Sequence, residues 1–163
     1  MISHNPVSDQ GPERTGLAMA AEPVTVIIAG PAVPKGRPRM TRRGTTASTR
    51  KYEAHGRLAA QEAMNGRAPI AVPVRLVALI ELPVPASWSG RKRAAAITGD
   101  IRPTTRPDLD NYAKSATDAL NGIVVADDSL IVELDARKRY GIAPKVVLTV
   151  MPLSARPANG NAT

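Results

Sequence analysis

A chain of 163 residues with 43% hydrophobic side chains fits one domain, and the absence of cysteine excludes disulfides and thiolate metal centres. A formal net charge of +8 points to a polyanionic partner, nucleic acid before an anionic membrane surface. The longest apolar run, Ile70 to Pro85, is broken by Pro73, Arg75, Glu81 and Pro83, which excludes a membrane span there. No basic start followed by an apolar stretch marks a secretory signal, so a cytoplasmic protein is expected.

Met1 to Pro23 mixes Ser, Asn, Gly, Pro and charges without periodicity and reads as a disordered tail. Val24 to Gly30 is short and β-branched, a buried strand ended by Gly30-Pro31. Pro34 to Lys51 carries Lys35, Arg37, Arg39, Arg42, Arg43, Arg50 and Lys51 and no acid. Interleaved Thr and Ser supply small donors, so this arm is expected to grip phosphates. Tyr52 to Met64 predicts a helix stopped near Asn65-Gly66, and His55 within it is assigned no chemistry.

Val72 to Val84 predicts a long strand, buried on both faces for part of its length. Ser87 or Ser89 is then positioned to cap a short helix from Gly90 to Ile97, with Trp88 as a packing anchor at its start. After the central stretch, Ile131 to Tyr140 and Val146 to Met151 read as strands. The turn Gly141-Ile142-Ala143-Pro144 predicts that they form an antiparallel hairpin. Pro152 to Thr163 reads as a second disordered tail. The order β, α, β, α, α, β, β argues for a single α+β domain over 24–151 with a mixed sheet packed by helices.

The chemistry concentrates in Arg106-Pro107-Asp108-Leu109-Asp110-Asn111-Tyr112-Ala113-Lys114. Pro107 stops any preceding helix, Asp108 suits an N-cap and Gly122 a helix stop, giving a helix over 109–121. Leu109, Tyr112, Ala113, Ala116, Ala119, Leu120 and Ile123 share one side. Asp110, Lys114, Thr117, Asp118 and Asn121 share the other. Asp110 and Lys114 are i, i+4 neighbours, and two carboxylates near a lysine suit a hard divalent cation. The structural alternative assigns Asp108 to the cap and Asp110–Lys114 to a surface ion pair. A second acidic pair, Asp127-Asp128, follows the helix.

The ordered set Arg-Pro-Asp-Leu-Asp-Asn-Tyr-x-Lys-x3-Asp-Ala-Leu-Asn-Gly, then Asp-Asp-Ser-x-Ile, resembles the signature of the RusA family of Holliday junction resolvases. Pro34-Lys35-Gly36-Arg37-Pro38-Arg39, Pro85-Ala86-Ser87-Trp88-Ser89 and Lys138-Arg139-Tyr140-Gly141 agree with it, and the similarity runs from Val24 to Met151. The resemblance implies a homodimer that binds four-way junction DNA and makes paired symmetric nicks with Mg²⁺, or Mn²⁺ in its stead, in recombination and repair. It implies Asp108, Asp110 and Asp128 as metal-binding catalytic acids and Lys114 as the catalytic lysine. Asp127 and Asn111 are expected to support these ligands, and Lys138 joins the DNA-binding cations. Tyr112 departs from a position often aliphatic in the family, and both tails are additional.

Other readings separate by experiment. An Asp-x-Asp phosphotransferase normally follows an apolar strand, whereas Ile101 to Pro107 is polar and proline-broken. A non-catalytic DNA-binding module or a less selective metal nuclease remains. For the carboxylates to meet within one chain, Ile123 to Ala126 must run back almost straight along a helix about 20 Å long. A single-chain site is expected, because apolar Ile123, Val124 and Val125 suit a segment packed on that helix; otherwise Asp128 serves the partner subunit's site. A bacterial or phage-infected cell is the expected setting.

Overall fold

The computed structural model describes residues 22–35 and 47–153. In chain order it contains β1 (Val24–Ala29), α1 (Ala47–Met64), β2 (Val74–Pro83), α2 (Gly90–Thr98), α3 (Leu109–Leu120), a one-turn 3-10 helix (Asp128–Leu130), β3 (Ile131–Gly141) and β4 (Lys145–Pro152). The architecture is α+β: a mixed four-stranded sheet with three helices.

The strand order is β1-β4-β2-β3. β4 runs antiparallel to both β1 and β2, and β2 pairs with β3 in parallel. The expected β3–β4 hairpin is therefore not formed. Residues 142–144 step over the end of β2, and β2 lies between the two strands. The physical reason lies in the strands themselves. Val146, Leu148 and Val150 of β4 are buried and suit a central strand. β3 carries Glu133, Asp135, Arg137, Lys138 and Arg139, which suit a sheet edge.

One sheet face forms the core. Val24, Val26 and Ile28 of β1, Val74, Leu76, Ala78 and Ile80 of β2 and the three β4 residues pack with α1 and α3. β2 alternates as expected, although Val77 and Leu79 on its other face are only half-buried. α1 begins five residues before the expected start. It buries Gly56, Ala60 and Met64 at four-residue spacing and leaves Leu58 exposed. A Cβ at Gly56 would lie 3.1 Å from the Ala119 side chain and 3.3 Å from Ile28 Cδ1. Glycine thus lets α1 come close to α3.

At the far end of the sheet, Glu81 of β2 is buried between two cations. The register sets it opposite Arg139 on β3 and Lys145 on β4. Arg139 Nε donates to its carboxylate at 3.0 Å, and Lys145 Nζ lies 3.5 Å away. A buried carboxylate needs such partners to remain charged.

Candidate active site

α3 has the expected amphipathic form. Tyr112, Ala113, Ala116, Ala119 and Leu120 are buried, and Asp110 and Lys114 are exposed. Ser115 is also buried. Its hydroxyl donates to Val33 O at 3.0 Å, tying the chain after β1 to the helix.

The structural alternatives for the first acids are not taken up. Asp108 occupies the N-cap position with extended backbone, yet its side chain makes no cap hydrogen bond. Asp110 and Lys114 form no ion pair, and no salt bridge involves either residue among the described residues. Two exposed carboxylates therefore stand at the start of α3, with the exposed ammonium of Lys114 one turn further on, unpaired among the described residues. Such oxygens suit a hard cation such as Mg²⁺.

The loop that delivers Asp108 is held from β3. Lys138 Nζ donates to Thr105 O and Pro107 O, each at 3.0 Å. The Arg106–Pro107 peptide bond between these carbonyls is cis.

Asp128 is differently situated. After Leu120 the chain curls tightly under the helix end: Ile123 and Val124 N–H donate to Leu120 O, and Gly122 N–H donates to Val125 O at 2.8 Å. Gly122 has φ +70°, the left-handed conformation that glycine adopts without penalty. Ala126 N–H then donates to Ile70 O at 2.9 Å. The return is curled rather than straight, and it sets the 3-10 helix opened by Asp128 beside α3. Among the described residues no group of three or more His, Asp or Glu side chains is gathered to hold a metal ion. Asp108 and Asp110 both stand at the start of α3, one at the N-cap and one in the first turn.

Asp127 has a local role. It caps the 3-10 helix, accepting from Ser129 N–H at 2.9 Å. Hydrogen bonding from the Ser129 side chain, and then from its backbone, holds the Asp127 carboxyl below the usual carboxylate range. Asp128, beside it, is exposed and carries no ion pair with the described residues.

A family model for endodeoxyribonuclease RusA matches residues 29–151. The chain belongs to the RusA endodeoxyribonuclease family. It is also similar to the uncharacterized protein YqaN of Bacillus subtilis (strain 168), with 40% identity over 85 residues. That match covers 51% of this chain and 60% of the relative. The chain thus spans less than two thirds of that relative's length.

Within this RusA-family chain, two cations expected on DNA have protein partners. Lys35 forms an ion pair with Asp118 of α3, and its N–H donates to Asn111 O at 3.1 Å. Lys138 spends two of its three donors on the loop before Asp108. Arg37, Arg39, Arg42 and Arg43 lie outside the described residues. Asn111 is half-buried within the first turn of α3. Sequence reasoning did not assign Ser115, or Asp118 as the partner of Lys35. Both join segments about eighty residues apart, and no local periodicity signals such a contact.

Proposed function

We propose that this RusA-family protein is a metal-dependent, structure-specific endodeoxyribonuclease that resolves four-way DNA junctions by paired nicks. The observation that carries the reading is the pair Asp108 and Asp110: exposed, uncapped and unpaired at a helix start, within the family's motif. Folding leaves both carboxylates free to bind. Their oxygen chemistry fits Mg²⁺, with Mn²⁺ as a substitute. A bound cation would activate water, polarise the phosphate and relieve charge on the leaving oxygen.

The chain's own groups do the rest. Asp108 and Asp110 hold the cation, and Lys114 offers positive charge to the scissile phosphate. Lys138 fixes the carbonyls before Asp108. The third acid of the motif is Asp128, which opens a 3-10 helix lying beside α3, and the protein acts as a homodimer. The exposed edge of β3, with Val132 and Leu134 at 59% and 51% exposure, is a surface on which a second copy can pair. A two-fold dimer also matches the approximate symmetry of a junction, offering two sites at fixed separation. The setting is recombination and repair in the cytoplasm of a bacterial or phage-infected cell.

The test is incubation of the full chain with labelled four-way junction, fork and linear duplex, with and without Mg²⁺. Paired, Mg²⁺-dependent nicks on the junction alone are expected. Binding without any cleavage would leave a DNA-binding module. Equal cleavage of all three substrates would leave a general nuclease.

A further inference from the structure

Helix α2 contributes little to the core. Ala96 is its one buried residue, and its packing is against β3. Its first turn carries Arg91, Lys92 and Arg93 in succession, all exposed, and the helix contains no acid. Three cations at the positive end of a helix dipole oppose its formation. Ser89 caps the helix, its hydroxyl accepting from Lys92 N–H, but Arg91 and Arg93 make no ion pair with any described residue. The nearest acid beyond the helix, Asp100, accepts from the Thr98 hydroxyl at 2.7 Å.

The placement of this ridge is defined. Lys92 Nζ sits 4.1 Å from the centre of the Trp88 ring, and Trp88 meets Tyr140 edge-to-face at 5.3 Å. Tyr140 lies two residues along β3 from Lys138, so the two side chains share one strand face about 7 Å apart. Lys138 holds the loop before Asp108, and Tyr140 holds the start of α2. One end of β3 therefore anchors both the basic ridge and the first two catalytic carboxylates.

We propose that Arg91 and Arg93 form a second DNA contact surface, which grips the phosphate backbone of the duplex arm next to the scissile phosphate. The inference rests on the nuclease reading and deepens it by giving the arm a path. Lys92 orients the ridge through Trp88. The arginines, which form no ion pair with the described residues, meet the phosphates.

The experiment compares the full chain with Arg91→Glu/Arg93→Glu. A charge-matched control, Arg57→Glu/Arg102→Glu, changes exposed cations on α1 and in the loop after α2, neither of which forms an ion pair with the described residues. Junction and duplex binding are measured across salt concentrations without metal, together with thermal stability. Loss of two phosphate contacts makes the salt slope shallower by about 2. Acids in the first turn of α2 favour the helix dipole, so the melting temperature stays level or rises. Lower affinity with undiminished stability, beyond the effect of the control, is the expected result. Arg91→Gln/Arg93→Gln gives the same reading without charge reversal, should the glutamate variant not fold. Parental affinity and salt slope in either folded variant, or an equal loss in the control, would overturn the surface. Junction nicking by the parent chain separates the two levels. If the parent nicks and the variants bind normally, the ridge fails and the nuclease stands. If the parent does not nick and the variants lose affinity, the nuclease fails and the ridge stands. A parent that binds no DNA overturns both.

Discussion

Lys138 shows how a residue's charge and its task can diverge. Its ammonium is saturated mainly by two carbonyls, so its removal should act through Asp108 rather than through phosphate. Lys138→Met keeps the apolar stem and deletes the donors. We expect the Mg²⁺ needed for half-maximal nicking to rise about tenfold, as when groups supporting metal ligands are removed. Metal-free junction binding should keep its salt slope. A slope shallower by about 1 with an unchanged Mg²⁺ requirement would instead make Lys138 a phosphate contact. Tyr52 gives a pH dependence with a defined sign. Burial, and then the neighbouring Tyr112, push its hydroxyl up from 10.0 to about 12, and burial raises Tyr112 in the same direction. A raised folded value means full stability below the unfolded value of 10.0 and loss as pH climbs towards about 12. Tyr52→Phe should flatten that alkaline decline in chemical denaturation; an unaltered decline would locate it elsewhere. Residue types at the start of α3 were legible in the sequence because cap, turn and i+4 spacing are local properties. The partners of Lys35 and Lys138 were not, because strand register and long-range packing determine them.

At the scale of elements, α3 was the most legible. Pro107, Asp108 and Gly122 bracket it, and its apolar face has a clear period. β3 and β4 were found as strands, but their pairing was misread. A four-residue turn serves a hairpin and a step over one strand equally well. The choice was made by β4, whose alternating apolar residues take two strand partners while charged β3 stays at the edge. That step brings Gly141 against Glu81, where an added Cβ would sit 2.9 Å from Glu81 Cβ. Glu81 cannot easily yield, since Arg139 and Lys145 hold its carboxylate. Gly141→Ala is therefore expected to cost about 1–3 kcal/mol, the range for crowding a packed site. Urea denaturation measures it, and unchanged stability would mean that Glu81 moves aside freely.

For the whole molecule, Asp128 can complete the site of its own chain or that of a second copy, and the two arrangements separate by experiment. If Asp128 serves the partner, Asp110→Asn and Asp128→Asn chains are each inactive alone, but mixed dimers regain one intact site. Co-refolding the two variants should then restore single nicks, whereas an intrachain site predicts no recovery. A dimer is expected from the family resemblance and from the two-fold symmetry of a junction. The curl after Leu120 was not legible, because it is closed by hydrogen bonds among residues 120–125 and to Ile70. The central claim, that the carboxylates opening α3 hold the metal for phosphodiester cleavage, is tested most directly with Asp110→Asn. This change keeps side-chain volume and removes one charge from a hard-cation site. Single-turnover nicking of a bound junction in limiting Mg²⁺ should slow at least about a hundredfold, by analogy with loss of a catalytic electrostatic group. Metal-free junction affinity should persist or tighten. A folded Asp110→Asn protein that nicks at the parental rate would contradict the account.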